Sequence, residues 1–114
     1  MSLIGKRAEF AAALSAVAGC RGYEKRPAAP NIGDAWPVMG PGDRASGTAF
    51  TVTWGIRVVV PDDEYAAAEW WDAHWPPLFY ALEPVCSVQR FEPVVLAAQG
   101  GDISAVQITV IAEE

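Results

Sequence analysis

Residues 48–60, TAFTVTWGIRVVV, form a predicted β-strand that is too long for so small a protein. Apolar residues occupy every second position and therefore lie on one face of the strand. They are Phe50, Val52, Trp54, Ile56, Val58 and Val60. At about 3.3 Å per residue the strand spans roughly 40 Å, whereas a compact domain of this chain length has a diameter of about 35 Å. We therefore expect one end of the strand to project beyond the globule, as arms that serve assembly do.

Composition indicates a single folded domain, residues 1–114, that is a poor candidate for specific nucleic-acid binding. The chain is 52% hydrophobic, contains five Trp and has a net charge of −6. Residues 1–30 carry five positive and two negative side chains, while residues 31–114 carry three positive and twelve negative ones. Specific binding to phosphates needs clustered Lys and Arg. An acidic surface can, however, line a passage through which DNA slides without sticking.

The cysteines and the N-terminus bear on where the protein resides. Cys20 and Cys86 are too few and too far apart for a metal-binding spacing or a disulfide framework. We expect two reduced, largely buried thiols, with a single bridge as the alternative. No apolar run approaches the ~20 residues of a membrane span, and the start MSLIGKRAEF lacks the charge order of a secretory signal. These features predict a soluble protein that starts in the cytoplasm, with no membrane partner.

A first helix is predicted at the N-terminus. Ser2 is a suitable N-cap, and Gly19 is placed to end the helix. The apolar residues at helical spacing are Leu3, Ile4, Phe10, Ala11, Leu14, Val17 and Ala18. The polar stretch 20–26 then reads as a short edge strand with a basic end.

The long strand is predicted to belong to a β-hairpin. Residues 35–39 can pair with its start, and residues 40–47, GPGDRASG, read as a flexible, Gly-rich loop. We call residues 36–54 the arm. Its outer end is predicted to carry Trp36, Met39, Asp43 and Arg44.

A second helix follows Pro61, and its first carboxylates, Asp62, Asp63 and Glu64, lie where a helix dipole favours them. The predicted core stripe of this helix is Tyr65, Ala68, Trp71, Trp75, Leu78 and Leu82. The pair Pro76-Pro77 predicts a kink or a split, since each proline removes an interior hydrogen bond. Trp70 and His74 lie beside the stripe and are predicted to face a neighbouring subunit.

Residues 85–96 and 103–112 predict two final strands joined by a Gly-rich turn. The first changes phase around Phe91-Glu92-Pro93, which indicates a bulge or an edge position. The second buries Val106, Ile108, Val110 and Ala112. The order of elements predicts an α+β fold, an antiparallel or mixed sheet of about four to five strands with two helices on one face and a projecting hairpin.

No catalytic, cofactor or metal site is predicted. His74 is the one histidine, and no local signature supplies a nucleophile beside it, so a helix-surface or interface role is the simpler interpretation. Asp62, Asp63 and Glu64 are explained by capping rather than by a cation. Trp70 is a credible surface aromatic, for which a subunit interface is the commoner role than a ligand stack.

Most of the chain resembles the tail terminator proteins of long-tailed (siphovirus-type) bacteriophages of actinobacteria. The similarity lies in RPAAPNIGDAWPVM (26–39), in FTVTWGIRVVVPDDEYAAAEWWDAHWPPLFYAL (50–82), in PVCSVQRFEPVVL (84–96) and in GDISAVQIT (101–109). Its motifs are a GDAWP step, a strand ending in VVP-DDE, a Trp-rich helix and an FEPV strand. None of these motifs is a catalytic signature.

The resemblance implies an α+β subunit of a hexameric ring in the virion, assembled in the host cytoplasm. Such a ring caps the tail tube, stops its polymerisation and presents a surface to the connector proteins of the head. The implied partners are further copies of the chain, the major tail tube protein and a head-to-tail connector or neck protein. DNA would pass through without specific binding.

The predicted mechanism is geometric, because a rotation that closes a ring halts growth. The arm would reach a neighbouring subunit or the tube below by strand addition, with Trp36, Met39 and Trp54 as anchors. Asp43, Asp62 and Asp63 would line the rim or lumen, and deletion of residues 40–47 should weaken assembly without unfolding the monomer. The alternatives are another neck component, a small-molecule-binding module that uses the Trp-rich helix, and an enzyme without a recognisable motif.

Overall fold

The computed structural model describes residues 3–47 and 49–113. The elements are α1 (Leu3–Ser15), β1 (Arg21–Gly22), β2 (Asp34–Ser46), β3 (Ala49–Val59), α2 (Glu64–Leu82), β4 (Ser87–Leu96) and β5 (Ile103–Glu113). The strands form one sheet in the order β1-β2-β3-β5-β4. Within the described residues β1 pairs with β2 in parallel, and the other neighbours are antiparallel. The prediction of an α+β fold with a mixed, five-stranded sheet is confirmed.

The main core lies between one face of the sheet and the two helices. Alternate residues of β3 and β5 point to this face, as the period-two pattern predicted. They pack against apolar residues of both helices, and the cluster includes Phe10, Leu14, Val52, Trp54, Ile56, Val58, Trp71, Leu78, Leu82, Val106, Ile108, Val110 and Ala112. We call this side of the sheet the helix face.

A smaller apolar cluster covers part of the opposite face. Its buried members are Trp36, Val59, Leu96 and Ala105, and Tyr23 packs against them from the segment after β1. The guanidinium of Arg26 lies 5.9 Å from the Trp36 ring, and its Nη2 donates a hydrogen bond of 2.7 Å to the carbonyl of Ala97. The segment between β1 and β2 therefore extends over this face of the sheet.

The first helix is shorter than predicted. It ends at Ser15, four residues before Gly19, which has a φ of +84° in the following turn. Val17 is buried from that turn rather than from the helix, while Leu3 and Ile4, predicted in the apolar stripe, are exposed. The predicted N-cap, Ser2, lies outside the described residues.

The β2–β3 hairpin is longer on the β2 side than predicted, and residues 40–47 are not a loop. β2 continues to Ser46, with Asp43 opposite Thr51 and Arg44 opposite Phe50. Register shifts between Met39 and Gly42 and between Arg44 and Ser46 accommodate the glycines and Pro41, so the ladder tolerates a sequence that resembles a loop. Thr48, at the start of the predicted strand, lies outside the described residues.

The second helix is continuous across Pro76 and Pro77, so the predicted split is wrong. The two prolines deprive the carbonyls of Asp72 and Ala73 of a partner. All four of these residues are exposed, and water can therefore bind the two carbonyls. Tyr65, Ala68 and Trp75, predicted in the core stripe, are exposed as well. Tyr65 precedes the buried Trp71 by six residues, which places it about 240° around the helix.

The C-terminal hairpin consists of the two predicted strands, β4 and β5. β4 lies at the edge of the sheet, and its irregularity falls between Val88 and Arg90 rather than at residues 91–93. Pro93 occupies a regular ladder position opposite Val106. An edge strand tolerates a proline because an outward-facing position needs no N–H partner.

Candidate functional site

The outer end of the β2–β3 hairpin is exposed. We call residues 39–47 and 49–51 the hairpin tip. Residues 41–47 are all exposed, and Met39 and Phe50 have 50% and 39% of their surface accessible. The molecule measures 46 Å along its longest axis and 29 Å and 21 Å along the others. The prediction that one end of the hairpin projects agrees with this elongated shape.

The hairpin tip presents apolar and charged groups side by side. Met39 is opposite Trp54, and Phe50 follows the same alternation as Trp54, so both belong to the helix face. The Arg44 guanidinium lies 5.6 Å from the Phe50 ring, a cation–π contact at an exposed position. Asp43 belongs to the opposite face of the ladder, and its carbonyl accepts a hydrogen bond of 3.4 Å from Thr51 Oγ1. Two predicted contact residues, Met39 and Arg44, thus lie on the helix face of the hairpin tip, and a third, Asp43, lies on its opposite face.

Two other predicted anchors, Trp36 and Trp54, lie at the base of the hairpin and are buried. Trp36 is 1% exposed in the smaller apolar cluster, and Trp54 is 0% exposed in the main core. The Trp54 ring packs edge to face against Phe10 at 5.4 Å and beneath the guanidinium of Arg7, also at 5.4 Å. The expectation that these indoles contact a neighbour is corrected, because the monomer itself encloses them.

Trp70 and His74 form a stacked pair on α2. Their ring centroids are 3.8 Å apart at an interplanar angle of 12°, and His74 Nδ1 lies 2.6 Å from the Trp70 carbonyl. A Cβ at Gly19 would lie 2.9 Å from His74 Nε2, so the imidazole packs closely against the turn after α1. Both side chains are half-buried, and His74 packs against the turn at Gly19 instead of projecting freely from the helix.

Sequence reasoning missed an aromatic groove between α2 and the edge strand β4. Phe91 of β4 lies 5.1 Å from Trp71 and 6.0 Å from Phe79, and Phe79 lies 5.3 Å from Trp75. We call this the α2–β4 groove; the apolar residues that line it include Ala67, Ala68, Trp71, Trp75, Phe79, Phe91, Pro93 and Val95. Phe91 is 46% exposed and Val95 68% exposed. The one available signal was the apolar alternation of residues 91, 93 and 95 on a predicted edge.

At one end the groove widens into an open cavity of about 540 Å³ at the corner of the sheet. Apolar residues of α2, β4 and β5 form most of its wall, and Asp62 and Glu64 stand at its margin. Exposed apolar surface of this kind, bordered by charged groups, is typical of a contact site.

Comparisons with known proteins assign no family to the chain. No protein-family model matches it, and no curated protein is similar to it. The motifs of the proposed resemblance lie in successive parts of the fold: GDAWP spans the start of β2, VVP-DDE joins β3 to α2, and FEPV lies in β4 beside the groove. The resemblance itself stays a prediction.

The carboxylates after β3 are used for helix capping. Asp63 is the N-cap of α2, and its Oδ2 accepts a hydrogen bond of 2.9 Å from the Ala66 N–H. Asp62 is exposed at the margin of the cavity. In the described part of the chain no three His, Cys, Asp or Glu side chains are grouped as metal ligands.

Both cysteines are free thiols and are half-buried. Burial raises the pKa of Cys20 above its ordinary value and raises that of Cys86 to about 11, although Lys6 opposes the shift at Cys86. Both side chains pack against the main core. These thiols are therefore protonated at neutral pH. Among the described helices, none is long and apolar enough to cross a membrane.

Proposed function

We propose that this protein is a structural subunit of a ring that caps the tail tube of a long-tailed bacteriophage. The ring would end polymerisation of the tail and offer the head its joining surface. The observation that supports this proposal most is the hairpin tip, which exposes Met39, Phe50 and Arg44 beyond the core. An ordered ladder that contributes little to the monomer core is best explained by a contact with another chain.

The proposed mechanism depends on closure of the ring of subunits. Subunits that associate through two different surfaces form a ring if the rotation closes, and a closed ring leaves no free site for further tube subunits. Strand addition at a sheet edge supplies main-chain hydrogen bonds, and apolar side chains supply most of the affinity. Met39 and Phe50 are the available apolar groups at the hairpin tip, in place of the buried Trp36 and Trp54.

The proposal places the protein in the tail of the virion, between the major tail tube protein and a connector protein of the head. The negative charge of the chain suits a passage for DNA, because it repels phosphate. Asp43 and Asp62 are exposed, so either can face such a passage. Asp63 already caps α2, which gives it a role within the monomer.

A second candidate function is the binding of an apolar small molecule in the α2–β4 groove. The observation that favours it is the cavity of about 540 Å³ with Trp71 in its wall, a volume within the usual range of ligand sites. A change in tryptophan fluorescence on titration of a monomeric sample with apolar ligands would support this function. The same titration of a Trp71→Phe variant would show whether the signal comes from the groove.

A tube-assembly experiment tests the proposed function. The tail tube subunits of the same phage would be polymerised with and without this protein, and the products measured by negative-stain microscopy. We expect tubes that stop growing and carry a ring at one end when the protein is present. Tubes of unchanged length with bare ends would contradict the proposal. The matched control is a variant in which an Asn-Gly turn replaces residues 43–51, so that the hairpin closes at the Gly42–Val52 pair.

A further inference from the structure

The sheet has two open edges with different structures. At the base of β2, the carbonyl of Ala35 accepts from Tyr23 N at 2.8 Å and that of Pro37 accepts from Arg7 Nη1 at 3.2 Å. Beyond these residues, no described strand pairs with the outer edge of β2 along the hairpin tip. At the other side of the sheet, β4 is an edge strand along its whole length. Two unlike edges can join copies head to tail.

The charges of the chain are divided between the same two edges. Residues 1–57 carry seven Lys or Arg and four Asp or Glu, whereas residues 58–114 carry one Arg and ten Asp or Glu. The basic half supplies Arg7 beside β2, Arg21 on β1 and Arg44 at the hairpin tip. The acidic half supplies α2, and residues 61–89 contain six Asp or Glu and no Lys or Arg. The sheet order thus places most basic side chains beside β2 and the acidic α2 beside β4, although β4 itself carries Arg90 and the hairpin tip carries Asp43 beside Arg44. Opposite charges on two patches guide their association.

The apolar groups of the two edges lie on the same side of the sheet. Met39 and Phe50 are on the helix face of the hairpin tip, and Phe91 contacts Trp71 on the helix face of β4. β2 and β4 run in opposite directions, because three antiparallel pairs separate them. A second copy in the same orientation would therefore place its β2 antiparallel to β4. Met39 would then lie level with Val88, and a shift of about two to six residues along the strands, roughly 7–20 Å, brings first Met39 and then Phe50 level with Phe91 in the α2–β4 groove.

We propose that the α2–β4 groove and the edge strand β4 receive the hairpin tip of a second copy of this chain, in a head-to-tail contact. Arg44 of the hairpin tip approaches the acidic surface of α2, which exposes Glu69 and Asp72, and its apolar neighbours cover the exposed part of Phe91. This inference rests on the proposed ring, for which it specifies the contact between subunits.

Two variants, each with one edge disabled, test the contact. The first is the Asn-Gly replacement of residues 43–51, which removes Arg44 and Phe50 from the hairpin tip and leaves Met39 in place. The second is Val95→Lys, which places a long charged side chain in the exposed apolar part of the groove, where the hairpin tip of the second copy must pack. Gln99→Lys adds the same charge in the β4–β5 turn and is the matched control. Circular dichroism and an unfolding curve establish that each variant is folded.

Solution mass by light scattering is the readout. We expect each variant alone to be monomeric, with association weakened at least about tenfold, and Gln99→Lys to assemble like the unmodified chain. An equimolar mixture of the two variants retains one intact contact, so it should form a heterodimer and nothing larger. Assembly of Val95→Lys alone, or a mixture that stays monomeric, would overturn the inference. After such a result, rings of the unmodified chain on tail tubes would mean that the proposed function stands and that the subunit contact lies elsewhere. Bare tubes would contradict the proposed function as well.

Discussion

The base and the hairpin tip of one β-hairpin have similar sequence patterns and opposite environments. At the base, Trp36 and Trp54 are enclosed by the smaller cluster and by the main core. At the hairpin tip, Phe50 continues the same alternation and remains 39% exposed, since neither helix extends over it. Periodicity thus defines the two faces of a strand, but the neighbouring elements decide which part of each face is buried. A residue that anchors the core and one that can anchor a partner are separated here by a few positions.

The largest expected effect is at the base, from Trp54→Ala. Truncation of a fully buried indole leaves a cavity beside Phe10 and should lower the free energy of unfolding by about 3–5 kcal/mol. Denaturant unfolding measures the loss. Trp54→Phe is the control: it retains an aromatic ring and removes an indole N–H without a hydrogen-bond partner among the described residues. A loss below about 1 kcal/mol for Trp54→Ala would show that the base does not carry the core.

Gly40→Ala disrupts the junction between the base and the hairpin tip. A Cβ at this position would lie 2.5 Å from the carbonyl oxygen of Thr53, so the two strands must separate locally. We expect a loss of about 1–3 kcal/mol in unfolding free energy. Hydrogen exchange should accelerate more at residues 43–51 than in β5. Equal acceleration in both would mean that the hairpin tip and base unfold as one unit. Gly100→Ala is the control, since no atom lies within 4 Å of its added Cβ.

Thiol reactivity compares Cys86, a half-buried position beside the main core, with the exposed hairpin tip. The raised pKa of Cys86, about 11, leaves little thiolate at pH 8, whereas Ser46→Cys would put a thiol at the exposed hairpin tip. The greater nucleophilicity of a basic thiolate offsets part of this difference, so we expect Cys86 to react about tenfold more slowly with iodoacetamide. Mass spectrometry of the labelled peptides measures both rates. Similar rates would contradict the burial of Cys86.

The raised pKa of Cys86 also predicts how the stability of the fold changes with pH. The folded state holds the Cys86 proton more tightly than the unfolded state, so stability should fall as pH rises from about 9 to about 11. A Cys86→Ala variant should show a flatter decline over this range. Unfolding curves at several pH values measure the difference between the two proteins. A decline of the same slope in both would show that other groups cause it.

The smallest expected effect on stability is at the hairpin tip. Met39→Ser and Phe50→Ser should each lower the free energy of unfolding by less than Trp54→Ala does, by about 1 kcal/mol, because 50% of the Met39 surface and 39% of the Phe50 surface remain exposed. Association of the chain, measured by sedimentation, should weaken in both variants. A larger loss of stability would assign these residues to the monomer core.

Much of the fold could be predicted from the sequence. The strict alternation in β3 and β5 identified the buried positions from Val52 to Val58 and from Val106 to Ala112, because a half-buried strand has no other way to separate its faces. The cap at Asp63 and the edge position of β4 were predicted from local chemistry. These features depend on residues close together in the chain.

The rest depends on contacts between distant parts of the chain. Residues 40–47 look like a loop, yet β3 supplies a partner strand that keeps them extended. Pro76 and Pro77 favour a break in α2, yet packing of Trp71, Leu78 and Leu82 in the core favours a single helix. The α2–β4 groove was missed because it exists only where a helix lies beside an edge strand, and no local pattern records that placement.

The most direct test compares the solution mass of the unmodified chain with that of the variant lacking residues 43–51, at matched concentrations. Our account predicts a ring for the unmodified chain and a folded monomer, of nearly unchanged unfolding free energy, for the variant. A variant that assembles like the unmodified chain, or an unmodified chain that stays monomeric both in solution and with tail tubes, would contradict it.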